Sequence, residues 1–480
     1  MSPVFRGEQK PVNRSGLTNN AHDHDGVAHY QRPDPSRRHR RTEKSMRRRV
    51  TLCVMSGIAA ATMVLTACGS GDGAAGGNAP GGETLRVWFP GNLSNEIEWV
   101  ENELVPAFEG EHDIDVQVEF VDWGDLSTRL STAFAGGTAP DVFGHGTAAT
   151  AGFAANGRVI ALDDYLADLP AEDIADMTFL DHGKIDGQQF IMPLRGFGYL
   201  LAYRTDLFEE AGLDPFASPQ TWDDLRAAAE QLTVRDGDRI ERAGVILPAD
   251  NPTSMTQAFA TFLFQAGGSF LDESGAKVTW NSPEGKEALN FLTELYAGPD
   301  AVADGLGEPT SGAGAQHPLV TGRAAMSLID DATLKSIYEQ APDVAESIQV
   351  SAPLGEAVTA SFGGAGNGLF ISADSKMQDE AWAFIEFLLE PENAKAYVEV
   401  VGGIPARSSL AEDPDIAATP YLKPYVDAVA QFRGNPNVEL WTQLRDILSA
   451  QVERALRGVT SADEALDASA AEATALLEQG

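Results

Sequence analysis

The chain has 480 residues, and its 71 acidic residues outnumber its 34 basic ones, which gives a formal net charge of −37 at pH 7. A surface this acidic repels phosphate backbones and argues against a nucleic acid partner. The length is ample for one or two domains with large cores. The sequence has only two cysteines, Cys53 and Cys68, so a zinc site of the cysteine–histidine type lacks ligands. No metal and no cofactor is therefore expected.

The N-terminal part has the composition of a leader. Residues 1–45 are polar and rich in histidine and arginine, which indicates either a disordered leader or a segment upstream of a start at Met46. Within residues 46–67, the basic cluster 47–49 precedes an uncharged stretch, 50–66, and this is the order of a secretory signal peptide. The stretch is too short to span a bilayer comfortably. It is predicted to be cleaved.

The end of that stretch, Leu65 to Cys68, resembles a bacterial lipobox. The resemblance implies cleavage before Cys68 and a diacylglycerol on its sulfur, which would hold the protein on the extracytoplasmic side of the cell membrane. A plain cleavable signal with an incidental cysteine is the alternative. Residues 68–83 are rich in glycine and are predicted to form a flexible tether. Residues 1–67 hold 12 basic and 5 acidic residues, which leaves 22 basic and 66 acidic residues after them.

Strand-like and helix-like segments alternate after the tether. Alternating or short apolar runs predict strands at 85–89, 116–120 and 141–143. Between them, apolar residues at helical spacing predict helices at 94–108 and 125–134. The repeated strand-helix-strand order predicts an α/β fold with a largely parallel sheet.

The middle and C-terminal parts contain more and longer helices. Thr221 and Ser461 are each followed three residues later by an acidic residue, which predicts capping boxes. Ser282 before Pro283 predicts another helix start.

Two glycine-rich segments, 194–198 and 361–366, are candidate crossing points between two lobes. Glycine permits backbone rotation and close approach of chains, and hinges need both. Ordinary turn glycines are the alternative. No Gly-x-Gly-x-x-Gly dinucleotide fingerprint fits residues 361–371.

Seven motifs occur in a characteristic order along residues 84–480. They are GGTAPDV (136–142), YRTDLF with AGL (203–213), TWDDL (221–225), QAGG (265–268), GRAAM (322–326), EAWAFI (380–385) and GGIPAR (402–407). In this order, and behind a lipobox, they resemble the extracellular solute-binding proteins of carbohydrate ABC transporters, the maltose-binding-protein-like family.

The resemblance implies an α/β fold of the periplasmic-binding-protein-like type II, with two discontinuous α/β lobes and a ligand cleft between them. The expected boundaries are 84–196 and 363–410 for lobe 1, and 197–362 and 411–480 for lobe 2. The resemblance also implies a monomer that binds a carbohydrate and works with permease subunits in the membrane.

A sugar-binding site needs planar hydrogen-bonding groups beside aromatic rings, because a sugar presents hydroxyls around weakly apolar C–H faces. By the resemblance, candidates lie where strands end or cross at the cleft. They are Trp88, Asn92, His145 and Thr147 in lobe 1; Arg195, Phe197, Phe362 and Gly363 at the crossings; and Asn251, Gln257, Asp330, Asp331 and Trp441 in lobe 2. Trp88 could equally be a core residue, His145 a surface histidine, and the adjacent aspartates solvated.

The resulting interpretation is a lipid-anchored, non-catalytic binding protein of an ABC importer that captures a mono- or oligosaccharide. One alternative is a phosphorylated polyol or another polar metabolite as ligand. That ligand would need several cations in the cleft, and Arg195 is the only strong one that can be placed there. Another alternative is a secreted glycoside-cleaving enzyme with paired carboxylates.

Overall fold

The computed structural model describes residues 84–479. The expectations for residues 1–45, 46–67 and 68–83, including lipidation of Cys68, lie outside the described residues. Within residues 84–479, no helix is both long enough and apolar enough to cross a bilayer.

Short strands and many helices alternate along the described chain. The strands are β1 (Leu85–Pro90), β2 (Val116–Val121), β3 (Val142–Gly146), β4 (Lys184–Ile185), β5 (Gln188–Gln189), β6 (Met192–Pro193), β7 (Arg195–Arg204), β8 (Val234–Asp236), β9 (Arg239–Ile246), β10 (Ala324–Asp330), β11 (Ile348–Val350), β12 (Ser361–Ala365), β13 (Asn367–Ile371), β14 (Ile404–Pro405) and β15 (Phe432–Arg433).

The helices account for most of the remaining regular structure. The α-helices are α1 (Ser94–Trp99), α2 (Val105–His112), α3 (Trp123–Gly136), α4 (Thr150–Ala155), α5 (Asp163–Ala167), α6 (Ala171–Asp176), α7 (Thr205–Ala211), α8 (Trp222–Leu232), α9 (Pro252–Gln265), α10 (Pro283–Tyr296), α11 (Pro318–Thr321), α12 (Asp331–Gln340), α13 (Pro342–Ala345), α14 (Gln378–Leu388), α15 (Pro391–Val401), α16 (Pro414–Ala417), α17 (Lys423–Asp427), α18 (Trp441–Leu456) and α19 (Ala462–Leu477). A π-helical turn, Val100–Leu104, joins α1 to α2.

One sheet, here called sheet A, has the strand order β2-β1-β3-β13-β6. Strand β1 pairs in parallel with β2 and β3, whereas β13 runs antiparallel to β3 and β6. Parallel strands end at the same edge of a sheet, so the chain leaves β1, β2 and β3 at one edge. We call the lobe built around sheet A lobe 1.

A second sheet, here called sheet B, has the strand order β15-β12-β7-β10-β9-β8, and β11 and β14 also pair with β7. Strand β7 is antiparallel to β10, β11, β12 and β14. The expectation of a largely parallel sheet therefore holds for three strands of sheet A and is wrong for sheet B, where the long strand β7 is surrounded by antiparallel neighbours. We call the lobe built around sheet B lobe 2.

The chain passes between the two sheets at three points: two lie inside the glycine-rich segments, and the third leads from β13 of sheet A through α14 and α15 to β14 of sheet B. Leu194 separates β6 of sheet A from β7 of sheet B, and Gly366 separates β12 of sheet B from β13 of sheet A. The amide of Gly366 donates to the carbonyl oxygen of Arg195 at 2.9 Å, so the two crossings lie side by side. At Gly198 a Cβ would come within 2.2 Å of the Phe432 ring, so this crossing strand needs glycine there. The expected lobe boundaries stay a prediction; the first two crossings fall within a few residues of them, and the third comes before β14, ahead of the boundary expected after residue 410.

Each lobe has its own apolar core. In lobe 1, Phe89 and Phe108 pack against Phe384 on α14. In lobe 2, the buried helix α9 packs between sheet B and helices α10 and α18. The capping boxes predicted at Thr221 and Ser461 are both present, because these short-range signals need no tertiary information.

Candidate ligand site between the lobes

The carboxyl ends of β1 and β2 are joined directly. The side-chain nitrogen of Asn92, just after β1, donates to Oδ2 of Asp122, just after β2, at 2.7 Å. Oδ1 of Asp122 accepts the amide of Gly124 at 2.8 Å and caps helix α3. This cap makes α3 begin at Trp123, two residues before the predicted start.

Trp123 is an exposed residue beside the candidate site that was not among the residues predicted from the sequence. Its side chain is 50% exposed at the edge of sheet A, and its ring stands edge-on to the imidazole of His145, with 6.1 Å between centroids. The sequence signal that could have found it is its position directly after an alternating strand. A helix expected only from residue 125 left Trp123 in a connecting loop.

His145 lies at the end of β3, as expected. Its Nε2 is 3.3 Å from the hydroxyl oxygen of Ser127 on α3. Burial lowers the pKa of His145 below its usual value, so the imidazole is neutral at pH 7 and offers one hydrogen-bond donor and one acceptor.

A cavity of about 480 Å³ opens beside His145 and is lined from both lobes. The lobe 1 lining is Ser127, Ser131, Phe134, His145, Ala148, Ala149, Gly152, Phe153, Asn156 and Arg158, and the opposite lining is Glu439, Leu440, Thr442 and Gln443. Its volume is in the range of small-molecule sites. Of the predicted residues, only His145 lines it.

A cavity of similar volume, about 490 Å³, lies beside α14. Its lining includes Trp382, Glu386 and Arg407, and all of its lining residues belong to lobe 1 by the expected boundaries. Movement of the lobes would not enclose a ligand there, so the cavity beside His145 is the better candidate.

Trp88 and Thr147 are engaged by protein groups in lobe 1. The guanidinium of Arg129 lies over the Trp88 ring, 4.8 Å from its centroid, and covers one face of that ring. The hydroxyl of Thr147 donates to the carbonyl oxygen of Ala365 at 3.2 Å, which ties β3 to the second crossing. Their predicted role as sugar contacts has no support in these contacts.

The aromatic residues at the crossings form a stack. Phe197 is half-buried, and its ring lies 5.9 Å from that of Phe362, which is completely buried. At Gly363 a Cβ would come within 2.6 Å of the Phe432 ring. Phe362 therefore belongs to the core of lobe 2 and presents no ring to a ligand in this conformation, which corrects its prediction. Gly363 has a packing role.

Two predicted residues of lobe 2 serve helix α9. Asn251 is its N-cap, and its side-chain oxygen accepts the amides of Thr253 at 2.9 Å and Ser254 at 3.0 Å. Oε1 of Gln257 accepts the hydroxyl of Tyr199 at 3.1 Å in a buried setting. Asn251 is exposed and Gln257 is buried, so only Asn251 is accessible in this conformation.

The adjacent aspartates have different surroundings. Asp330 is the N-cap of α12, with Oδ1 accepting the amide and Oδ2 the hydroxyl of Thr333. Asp331 is fully buried; its Oδ1 accepts the amide of Gly198 at 3.2 Å, and its Oδ2 is 3.9 Å from Nη1 of Arg195. The buried Asp331 presents no carboxylate to a ligand in this conformation, which corrects its prediction, whereas the partly exposed Asp330 stays a predicted contact.

Trp441 was predicted as an aromatic plate, and the structure corrects this. Its side chain is 1% exposed and packs against Phe270 in the core of lobe 2. Residues before and after it, Leu440 and Thr442, line the cavity instead. The difference is one of helical phase, because neighbouring helix positions point about 100° apart.

The protein is similar to known binding proteins over most of its described length. It is 29% identical over 373 residues to an uncharacterised lipoprotein of Streptomyces antibioticus, covering 72% of this chain and 74% of the relative. It is 24% identical over 362 residues to the diacetylchitobiose binding protein DasA of Streptomyces coelicolor, covering 74% and 81%.

A solved structure shares the fold. The sugar-binding protein MalE from Xanthomonas citri superposes with a TM-score of 0.73 at 24% identity, covering 83% of this chain and 98% of that one. This likeness confirms the predicted type II two-lobe architecture. The family profile described as bacterial extracellular solute-binding protein matches residues 94–395. The chain belongs to that family of bacterial extracellular solute-binding proteins.

Proposed function

We propose that this protein is the substrate-binding component of an ABC importer, which captures a mono- or oligosaccharide between its lobes and delivers it unchanged to the permease. One observation carries the proposal: a cavity lined from both lobes has His145 in its wall, beside the exposed indole of Trp123. A ligand that touches both linings favours the conformation in which they are close, so binding and closure are a single event.

The groups at this cavity suit a sugar. Trp123 is not part of the lining, but it contacts His145 in the cavity wall and offers a flat, exposed apolar surface for the C–H faces of a sugar. Ser127, Ser131, Thr442 and Gln443 supply hydroxyl and amide groups that can both donate and accept hydrogen bonds.

The charges at the cavity favour a neutral ligand over a phosphorylated one. Its lining combines one arginine, Arg158, with one carboxylate, Glu439. The guanidinium of Arg158 lies 5.3 Å from the centroid of the Phe134 ring. Arg195, the cation expected in the cleft, faces Asp331. A phosphate group would want several unpaired cations, so the phosphorylated polyol is the weaker candidate.

The location is part of the proposal. We expect cleavage before Cys68 and lipidation of that cysteine, which would place a monomer on the extracytoplasmic side of the membrane. The likeness to a Streptomyces lipoprotein supports this. Mass spectrometry of the protein extracted from membranes should find a diacylglycerol-modified N-terminal cysteine, and Cys68→Ser should abolish the modification.

Thermal-shift measurements with a ligand panel test the sugar proposal. The panel should include maltose, maltotriose, mannobiose, N,N′-diacetylchitobiose, ribitol and glucose 6-phosphate. At least one unphosphorylated saccharide should raise the melting temperature in a saturable way, since a ligand that binds only the folded state stabilises it. A shift confined to glucose 6-phosphate would contradict the proposal.

The enzyme alternative has its own test. Each oligosaccharide that gives a shift should be recovered intact by mass spectrometry after prolonged incubation with the protein. Release of shorter saccharides would show glycosidic bond cleavage and would replace the transport proposal with the hydrolase alternative.

A further inference from the structure

Three ionisable side chains from both lobes interact beside the crossings. Arg195 is the first residue of β7, directly after the first crossing. Asp331, at the start of α12 in lobe 2, lies 3.9 Å from its guanidinium. Glu96, on α1 in lobe 1, is 3% exposed. Burial raises the pKa of Glu96, and the hydrogen bond from Tyr397 and the positive charge of Arg195 oppose that rise. Arg195 thus lies within ionic range of Asp331 in lobe 2 and acts on Glu96 in lobe 1 through its charge.

The Glu96 side of this cluster is hydrogen-bonded. The hydroxyl of Tyr397 on α15 donates to Oε1 of Glu96 at 2.9 Å, and the side-chain nitrogen of Asn367 donates to the Tyr397 oxygen at 3.3 Å. All three residues belong to lobe 1, so Glu96 is held firmly on that side.

The contact between Asp331 and Arg195 lacks such a hydrogen bond. A separation of 3.9 Å is within ionic range but too long for a hydrogen bond. Among residues 84–479, neither Nη1 of Arg195 nor Oδ2 of Asp331 has a hydrogen-bond partner, and both atoms are buried. A buried ion pair without its hydrogen bond has lost solvation without full compensation. A shift of about 1 Å between the two groups would supply that bond.

We propose that Arg195 is a positioning residue of the hinge and not a sugar contact, and that its contact with Asp331 shortens in one arrangement of the lobes and lengthens in the other. Arg195 is followed by Gly196, and its carbonyl oxygen accepts the amide of Gly366 from the second crossing. Rotation of the lobes about these crossings moves Glu96 of lobe 1 relative to the guanidinium, which then turns toward or away from Asp331 on its own side. The charge on Asp331 then sets the balance between the arrangements. This inference goes beyond sugar binding and needs no ligand.

The surroundings of Asp331 determine when it carries that charge. Burial is the main cause that raises the pKa of Asp331 to about 7; Arg195 and the Gly198 amide oppose the rise, and Asp330 adds to it. The other titratable groups that sense the Asp331 charge are Tyr199 on β7, Tyr421, and Tyr425 on α17. Burial raises the pKa of each of these tyrosines further above 10, so they stay neutral. Asp331 is thus mostly ionised at pH 8 and mostly protonated at pH 5, so its ion pair with Arg195 is present at the higher pH and largely lost at the lower one.

Spin labels can follow the lobes directly. Cys53 and Cys68 are the only cysteines in the sequence, so a full chain with both replaced by serine accepts labels at introduced sites alone. Ala135→Cys at the end of α3 in lobe 1 and Ala450→Cys on α18 in lobe 2 are both at exposed positions. Electron–electron resonance then gives the distribution of distances between the lobes without any sugar.

We expect the ratio of the two distance populations to change about fivefold or more between pH 5 and pH 8, which is the lower end of typical coupling between sites. Asp331→Asn should hold the ratio near its pH 5 value at both pH values. Arg195→Lys keeps the charge and should retain part of the response. Glu390→Gln is the matched control, because burial also raises the pKa of Glu390. Glu390 lies between α14 and α15 in the wall of the cavity beside α14, and Arg195 is neither in that wall nor among the charges that shift its pKa. Glu390→Gln should respond to pH like the parent.

Two results would overturn the inference: equal populations at pH 5 and pH 8 in the parent chain, or an undiminished pH response in Asp331→Asn. If Asp331→Asn does not fold, the pH dependence of the distance populations in the parent chain and in Arg195→Lys still tests the inference. Because no sugar is present in these measurements, their failure would leave the sugar-binding proposal to its own ligand panel.

Discussion

The indole of Trp123 and the imidazole of His145 meet edge to face, with an interplanar angle of 85°, where two parallel strands of sheet A end. Strand β2 delivers the first ring and strand β3 the second. The contact fixes the orientation of an exposed aromatic ring beside the cavity between the lobes. A rigid ring loses little entropy when a ligand stacks on it.

For any saccharide that gives a thermal shift, Trp123→Ala should weaken binding about fivefold, since an aromatic contact contributes about 1 kcal/mol. The melting temperature without ligand should hardly change, because half of this side chain is already in water. Titration calorimetry measures the affinity. Phe216→Ala is the matched control: Phe216 is 81% exposed and, unlike Trp123, is not in ring contact with His145 in the cavity wall, so its removal should leave affinity unchanged. Equal affinity in Trp123→Ala would remove Trp123 from the site.

Trp441→Ala should behave in the opposite way. Its indole fills the core of lobe 2 against Phe270, so truncation should lower the free energy of unfolding by about 3–5 kcal/mol. Urea unfolding measures this loss. Thr442→Ala is the control, because Thr442 is the exposed neighbour of Trp441, and its free energy of unfolding should stay within about 0.5 kcal/mol of the parent value. A loss of sugar affinity with an unchanged unfolding curve would instead restore Trp441 as a ligand contact.

Asp330→Ala should lower the free energy of unfolding by about 1 kcal/mol, because Asp330 caps helix α12 through the Thr333 amide at 2.9 Å. Asp330→Asn keeps a capping oxygen and should cost only a few tenths of that value. Denaturant unfolding of the two variants separates the capping role from a charge role. Similar losses in both variants would indicate that the negative charge matters more than the cap.

The stability difference between the parent and Asp331→Asn should depend on pH. The pKa of Asp331 is about 7 in the folded protein and near 3.8 when the chain unfolds, so between these values the folded state binds the extra proton. The contribution of Asp331 to the free energy of unfolding must then fall as pH rises from about 4 to about 7 and stay level above it. Urea unfolding of both proteins at pH 4.5, 6 and 8 checks this. A constant difference would mean that Asp331 titrates normally.

Many helices and strands could be predicted from the sequence, because the patterns that mark them are only a few residues long. The strands around Leu85 and Val116 follow from alternation, and the helix starts at Thr221 and Ser461 follow from capping patterns a few residues long. The antiparallel surroundings of β7 could not be read in this way, since its partners come from four distant parts of the chain.

The candidate site was harder to predict from the sequence, because the exposure of a side chain depends on how the whole fold packs. Composition cannot tell that Trp441 points into the core while Thr442 points to the cavity, or that Arg129 covers Trp88. Arg195 and Asp331 are far apart in the sequence, and only the fold shows that they face each other. Position at a strand end is the signal that led to His145, which lines the cavity between the lobes; its role as a ligand contact stays a prediction.

The hydrogen bond from Gly366 to Arg195 has a kinetic consequence. Strand β14, at the end of the third connection, also pairs with Gly196 and Arg195. Connections that are bonded to one another in this way resist independent twisting, so we expect the lobes to bend about one common axis. Relaxation after rapid mixing with a sugar should then follow one exponential, with no partly bent species along the way.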